Sequence, residues 1–528
     1  MRVVGYHICN GIIANSDGES TVESPYLDFL LQPKSDSVKI MYHLAQNVSA
    51  LAQMTKMTEG EVATLHKSSQ SKINIPPYKM RYVKNRFFNL QKGYYRTAPY
   101  AYFYDARQYQ NTPVAWCETV EECISKAKEA RDIGEQVIQS LSEIGLHTER
   151  LISPVRVFED STLNKLNLSS EADIPEMAGY YAYESCTSNW LEAFQLGHWD
   201  KVWDYDISSA YPAEIAKLMD LRQGKWIQSN KFIPEAQYGR CIGKVTIQSE
   251  FSPIVYRAGE RSGLPINYTA TGTWERCLTN KQIEYLETTG TGEFEIADGR
   301  WWIPDKVNKP FESIVKWLYE EKERASGIKR EVIKRIMAGI WGKFLETMMV
   351  NGNPKLGNLF NSIYGSEVEV NCQLEVAKFV IENKINPIHI TVDGVVATEP
   401  VMLGENGLGK WKLSNVTPCI CAGTGAIALR DEGKGDFHLK YDWLKEQIEK
   451  EPEASVYKLS KMEPVTIGQA VANGECGRLG ELQEIHKYID IGLVEKRCYK
   501  EKPKNGRELL ARTYSSSPWD VSIVKSQL

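Results

Sequence analysis

The chain has 528 residues, with 63 Lys+Arg against 68 Asp+Glu, a formal net charge of −5, 42% hydrophobic and 25% charged residues. That length predicts three or four domains at about 100–200 residues each, and the composition excludes wholesale disorder, a collagen-like repeat and a simple coiled coil. No apolar run reaches the ~18 residues of a membrane span, and the opening segment lacks a signal-peptide pattern, so we expect a soluble, unsecreted, cytoplasmic chain with no membrane partner.

Residues 1 to about 165 mix strand-like runs, VKIMYHLA and YAYFYDA, with a helical pattern from Val120 to Gly145. No Asp or Glu occurs from Val62 to Tyr104, while Lys67, Lys72, Lys79, Arg81, Lys84, Arg86, Lys92 and Arg96 alternate with Tyr78, Tyr82, Phe87, Phe88, Tyr94, Tyr95, Tyr100, Tyr102, Phe103 and Tyr104. Cations for phosphates and rings for bases are what a sequence-tolerant single-strand groove needs. A solvated basic face over core aromatics accounts equally for the pattern.

The Ser-rich, acidic stretch LNLSSEADIPEMAG reads as a linker. KVWDYDISSAYP then reads as a strand ending at Pro, and AEIAKLMDL has apolar residues at helical spacing. Short alternating strands such as CIGKVTIQ, between about 221 and 310, indicate an inserted subdomain. Residues 311–346 form the strongest helical stretch, broken at Ser326-Gly327 into an antiparallel pair, and basic residues outnumber acidic ones from Lys316 to Phe344. A helix from Gln373 to Asn383 leads into the strand HITVDGVVAT. The eleven cysteines lack the CxxC pairs of tetrahedral zinc modules, and a disulfide scaffold is not expected. Cys419 and Cys421, in PCICAG, share one strand face as buried thiols do.

Three segments carry chemistry. Asp206 in DISSAYP stands at a strand end, where the strand fixes a carboxylate and the following turn opens space for a ligand. Lys334, Ala338 and Trp341 recur on one helix face, a cation and a ring facing the same way. Asp393 is a lone charge in an apolar strand, costly if unpaired, with an ordinary Asp-Gly turn as the alternative.

In that order and spacing the segments resemble a family B DNA polymerase of the protein-primed phage and plasmid branch. DISSAYPAEI resembles its Asp-x-x-Ser-Leu-Tyr-Pro segment, KRIMAGIWGKF its Lys-x-x-x-Asn-Ser-x-Tyr-Gly segment, and HITVDGVV its Tyr-x-Asp-Thr-Asp segment, with PFESIVKWLYEEK and GLGKWKL in support. The resemblance spans about 180 to 430. It implies an α/β and α+β multidomain fold, a polymerase right hand of palm, fingers and thumb behind an N-terminal RNase H-like exonuclease-type domain. Residues 1–165 would be a degenerate exonuclease-like domain, 166–220 the first palm part and 221–310 a terminal-protein-contact insertion. Residues 311–345 would be the fingers, 346–430 the second palm part and 431–528 the thumb and C-terminal region.

The resemblance also implies the site. Asp206 and Asp393 would hold two Mg²⁺ ions, with Mn²⁺ as an alternative, for template-directed addition of deoxynucleotides to a primer 3′-hydroxyl. Tyr211 would stack on the sugar and exclude a 2′-hydroxyl, and Ser209, Lys322, Lys334, Trp341 and Gly342 would bind the nucleotide. Lys79, Arg81, Lys84, Arg86 and Lys343 would bind DNA. The implied partners are primer-template DNA, deoxynucleoside triphosphates and a terminal or priming protein.

The sequence departs from the family pattern at several positions. Thr391 replaces the first Asp of the third segment, Ala338 and Gly339 replace the Asn and Ser of the second, Trp341 replaces its Tyr, and CAGTGAIAL stands where the family has a Lys-x-Tyr clamp. A polymerase-like protein that has lost synthesis and binds DNA or a replication partner is the second reading. The exonuclease elements are also degraded: MYHLAQNVSALA lacks its carboxylate, Lys128 replaces the Tyr before Asp132, and Asp17-Gly18-Glu19 lies in a turn-like segment. A two-metal nuclease needs its carboxylates together, so proofreading is expected to be absent. The interval from Asp206 to Lys334 has room for the priming insertion; that from Lys334 to Asp393 is too short for the strand-displacement insertion.

Overall fold

The computed structural model describes the chain except residues 1, 25, 33–36, 68–72, 85, 94–98, 111–112, 149–150, 152, 167, 188–189, 262–263, 351–352, 431–438, 495 and 528. The N-terminal region is built on an eight-stranded sheet. Strands β1 (Arg2–Cys9), β2 (Ile12–Asn15) and β3 (Ser20–Thr21) are antiparallel neighbours, and β4 (Ser37–Met41) runs parallel to β1. Helix α1 (Leu44–Met54) follows β4. Strands β5 (Ile73–Ile75), β6 (Tyr78–Val83) and β7 (Phe87–Lys92) form an antiparallel extension, and β8 (Tyr100–Asp105) inserts between β7 and β4. Alternation along β1 sends Val4, Tyr6 and Ile8 into a core with α1, and Val3 into one with helix α2 (Val120–Glu143). The Thr119–Glu122 capping box starts α2. Gly5 lets α2 lie close, because a Cβ there would sit 1.8 Å from the carbonyl oxygen of Ala127.

The LNLSSEADIPEMAG segment is not a linker. It runs into helix α3 (Glu176–Ser185), and the Glu171 carboxylate accepts hydrogen bonds from Ser362 N (2.8 Å) and Ser362 Oγ (2.7 Å) at the start of a central helix. Anionic oxygens on free N–H groups at a helix start are a stabilising arrangement that composition does not reveal.

A nine-stranded sheet forms the middle of the molecule. It contains β9 (Leu191–Ala193) and the long β10 (Gln195–Ile207), which runs into the six-residue helix α4 (Ala210–Ile215), shorter than the helical pattern in AEIAKLMDL suggests. Residues 224–304 form an antiparallel sheet of β11 (Gly224–Gln228), β12 (Tyr238–Ile247), β13 (Ala270–Thr279) and β14 (Gly292–Pro304), with α5 (Asn280–Thr289) between the last two. Helices α6 (Glu312–Arg324) and α7 (Gly327–Phe344) meet at the expected Ser326-Gly327 break. Helix α8 spans Ser362–Glu382, eleven residues earlier than expected. Its first half, SIYGSEVEVNC, alternates like a strand but is buried almost all round, and Glu367 there pairs with the fully buried Arg240 at 2.8 Å.

The expected strand HITVDGVVAT is two strands, β15 (Pro387–Thr391) and β16 (Gly394–Ala397), with Asp393 in the turn between them. The central sheet continues through β17 (Trp411–Gly423), β18 (Ala426–Leu429) and β19 (Leu439–Lys440). Cys419 and Cys421 are both fully buried in β17, as alternation predicted. The residues after 440 do not form a unit of their own. Val465, Ile467, Ala470 and Leu479 enter the N-terminal core, Tyr514 pairs with Leu196 of β10, and Trp519–Asp520 runs parallel to β13.

Candidate active site

Asp206 is the next-to-last residue of β10 and is flanked on both sides. In register it faces Gly394 of β16 and Lys412 of β17. The Asp393 carbonyl accepts a hydrogen bond from Ile207 N at 3.0 Å, which ties the β15–β16 turn to the end of β10. Val392 adopts φ 64°, a left-handed conformation that a β-branched residue rarely takes, and its N–H donates to Trp190 O at 2.7 Å. Gly394 is required by close approach: a Cβ would lie 2.8 Å from Tyr205 O and 3.0 Å from Thr391 Oγ1. The two carboxylates thus stand at the end of β10 and in the adjoining β15–β16 turn, and line one cleft of about 780 Å³.

Helices α6 and α7 supply the opposite wall with Tyr319, Lys322, Glu323, Arg330, Lys334 and Ala338. Lys322 Nζ donates to Ser209 Oγ at 2.7 Å, pairs with Glu323 at 3.1 Å and lies 4.6 Å from the centre of the Tyr319 ring. Burial holds its ammonium pKa below the usual lysine value, with Glu323 pulling the other way. Arg330 donates to Lys322 O at 2.7 Å and has an exposed guanidinium in the cleft. Ser209, at the entry to α4, also adopts a left-handed conformation, φ 54°. Strained backbone on both carboxylate-bearing turns is the pattern of a site whose geometry is held by the surrounding fold.

Tyr211 lines the cleft from α4, and its ring lies 5.0 Å from that of Trp341, tilted by 32°. Burial raises its phenol pKa, and the charges of Cys372, Glu369 and Asp393 add to the shift. Trp341 Nε1 donates to Gly365 O at 3.0 Å, so its ring braces Tyr211 from outside the cleft lining. Gly342 is exposed and also lies outside the lining. Lys343 does not present its charge as a surface DNA contact would: its ammonium sits between Glu159 (3.0 Å) and Glu346 (2.9 Å).

The structure thus brings Asp206, Asp393, Ser209, Tyr211, Lys322 and Lys334 together and leaves Trp341, Gly342 and Lys343 behind them. Sequence reasoning missed Lys412, whose Nζ lies 3.2 Å from Asp206 Oδ2, and Arg330. Arg330 is one of many cations in its run, and the facing of Lys412 and Asp206 is a matter of strand register alone.

In the N-terminal sheet, the basic and aromatic stretch divides. Tyr78, Tyr82, Phe88, Phe103 and Tyr104 are core rings, while Tyr100 and Tyr102 are exposed, as are Lys84 and Arg86. Register aligns Lys79 with Gln91 and Tyr100, and Arg81 with Asn89 and Tyr102, on one face. Lys72, Tyr94, Tyr95 and Arg96 lie outside the described residues.

Neither a protein-family model nor a curated protein matches this chain. Among solved structures, Phi29 DNA polymerase in an orthorhombic crystal form is similar over 93% of this chain and 100% of that one, with a TM-score of 0.64 and 11% identity. The same polymerase complexed with primer-template DNA and incoming nucleotide substrates is similar over the same shares, with a TM-score of 0.61 and 12% identity. The chain therefore has a mixed α/β multidomain fold resembling that of Phi29 DNA polymerase. No helix among the described residues is long and apolar enough to cross a membrane.

Proposed function

We propose that this chain is a template-directed DNA polymerase that adds deoxynucleotides to a primer 3′-hydroxyl and lacks proofreading. The observation that carries the reading is the cleft in which the carboxylates of Asp206 and Asp393 face the cations Lys322, Arg330 and Lys334. Oxygen donors on a strand end and the turn tied to it suit a hard divalent ion such as Mg²⁺ or Mn²⁺. Asp206 is partnered by an exposed lysine that can swing aside. Ions held by Asp206 and Asp393 would activate the primer hydroxyl and neutralise the leaving pyrophosphate. Lys322, Arg330 and Lys334 bind the triphosphate, Ser209 orients Lys322, and Tyr211, braced by Trp341, excludes the 2′-hydroxyl of a ribonucleotide.

The polymerase right hand extends this reading: palm in the nine-stranded sheet, fingers in α6 and α7, an RNase H-like domain at the N-terminus. The face bearing Lys79, Arg81, Tyr100 and Tyr102, with Lys84 and Arg86 beside it, takes single-stranded DNA, and the 224–304 sheet is the docking place for a priming protein. The loss of proofreading rests on carboxylates already taken up by neighbours: Asp17 pairs with Arg2 at 2.6 Å, Glu19 accepts from Asn15, and Asp132 pairs with Arg131 on the surface. The Lys412–Asp206 ion pair, together with Ala338 and Gly339, favours the second reading, a DNA-binding polymerase homologue without synthesis.

Primer extension with Mg²⁺ decides between them. We expect extension by the wild-type chain and a loss of about a thousandfold or more in Asp206→Asn and Asp393→Asn, the scale seen when charge stabilisation of a transition state is removed. A wild type that extends neither a DNA primer nor a protein primer rules out the enzyme reading.

A further inference from the structure

We propose that His7, Cys117 and Cys123, with Cys9 completing the set, form a buried zinc site joining the first strand of the N-terminal region to the start of helix α2. His7 and Cys9 are alternate residues of β1, on the face turned toward α2; Cys117 precedes that helix and Cys123 lies in its first turn. All four are at most 1% exposed. One ring nitrogen of His7 and the Sγ atoms of Cys117 and Cys123 lie within 4.8 Å of one another. Cys9 Sγ accepts from Cys117 N at 3.3 Å and adjoins the His7 ring.

These positions fit a tetrahedral ion. Zinc bonds of about 2.3 Å to sulfur and 2.0 Å to nitrogen set neighbouring ligand atoms about 3.5–3.8 Å apart, so His7, Cys117 and Cys123 need only contract slightly, while Cys9, outside that mutual distance, has to turn in as the fourth ligand. His7 Nε2 is buried, with the Cys9 thiol beside the ring and no other hydrogen-bond partner among the described residues. Asn47, whose Oδ1 accepts from Ile8 N and whose Nδ2 donates to His43 O, packs behind the ring with Nδ2 3.5 Å from Nδ1. Ile12, Ala14, Val120 and Ile124 close the surroundings with apolar groups. The donors are three sulfurs and an imidazole with no carboxylate among them, a soft set that selects zinc over the magnesium expected at Asp206 and Asp393.

Thiols bind zinc as thiolates, so an ion taken up here would displace the thiol protons as it enters. The closed Cys₃His set makes the ion a staple between β1 and the start of α2, which are more than a hundred residues apart in the chain.

The test uses the full chain and reads metal, not synthesis. Elemental analysis of protein purified without chelator should find one zinc per chain, and cobalt substitution should give an intense thiolate-to-cobalt charge-transfer band, which carboxylates at Asp206 and Asp393 cannot produce. Cys117→Ser and Cys123→Ser should each weaken zinc binding by about tenfold or more in competition with a chromophoric chelator. If those variants fail to fold, the cobalt spectrum of the wild type decides alone. A zinc-free wild type with no thiolate band, unchanged zinc in the variants, or a disulfide among these cysteines found by mass spectrometry would overturn the assignment.

Discussion

Lys322 is a buried cation with two polar partners, Ser209 and Glu323, on the wall of a cleft suited to phosphates. Burial lowers its pKa, so as pH rises it loses its charge earlier than an exposed lysine does. In the proposed role, its grip on a triphosphate would therefore weaken on the alkaline side. We expect the KM for deoxynucleotides to rise with pH in that range, and Lys322→Arg, whose guanidinium stays charged, to remove that limb. Lys322→Ala should lower kcat/KM by about ten- to a hundredfold in steady-state kinetics, the worth of a charged hydrogen bond. Tyr211 makes a second residue-scale prediction. Tyr211→Ala should admit ribonucleotides, and Trp341→Ala should weaken discrimination by about two- to tenfold through loss of the ring pair, both measured by single-nucleotide incorporation.

At the scale of elements, the site depends on turns. The β15–β16 turn places Asp393 only because Val392 takes a left-handed conformation and Gly394 leaves room for Tyr205 O. Gly394→Ala should destabilise the fold by about 1–3 kcal/mol in denaturant unfolding and depress extension, because the clash is with backbone beside both carboxylates. Gly342→Ala gives the opposite outcome: a Cβ there meets nothing within 4 Å among the described residues outside its own helical turn, so the α7 substitution should stabilise by about 0.5–1 kcal/mol. Unchanged nucleotide KM in that variant removes Gly342 from the nucleotide site. The α6–α7 break was legible because Ser-Gly interrupts a strong helical period. The early start of α8 was not, because an alternating stretch becomes helical when Arg240 and the core enclose it.

For the molecule as a whole, charge is distributed against its mean of −5. Replacing Lys79, Arg81, Lys84 and Arg86 by Gln should leave folding intact and reduce the salt slope of single-strand binding by about two to three, near 0.7 for each phosphate no longer neutralised. An unchanged affinity and slope, read by fluorescence anisotropy across salt concentrations, would remove that face from the DNA path. The C-terminal residues bind the regions together: a fully desolvated pair, Arg497 with Glu192 at 3.2 Å, fixes them to β9, while residues near 465–479 complete the N-terminal core.

Local pattern alone determined the helical hairpin, the strand end carrying Asp206 and the order of the three chemical segments, and left Asp393 between a strand and an Asp-Gly turn, because helix period, strand alternation and turn chemistry act over a few residues. Packing decided which of those residues share a cleft, that Lys412 faces Asp206, that Lys343 is neutralised by Glu159, and that His7 and three of the eleven scattered cysteines converge where β1 meets α2. Those contacts join residues distant in the chain, and the tertiary fold, not local propensity, selects them.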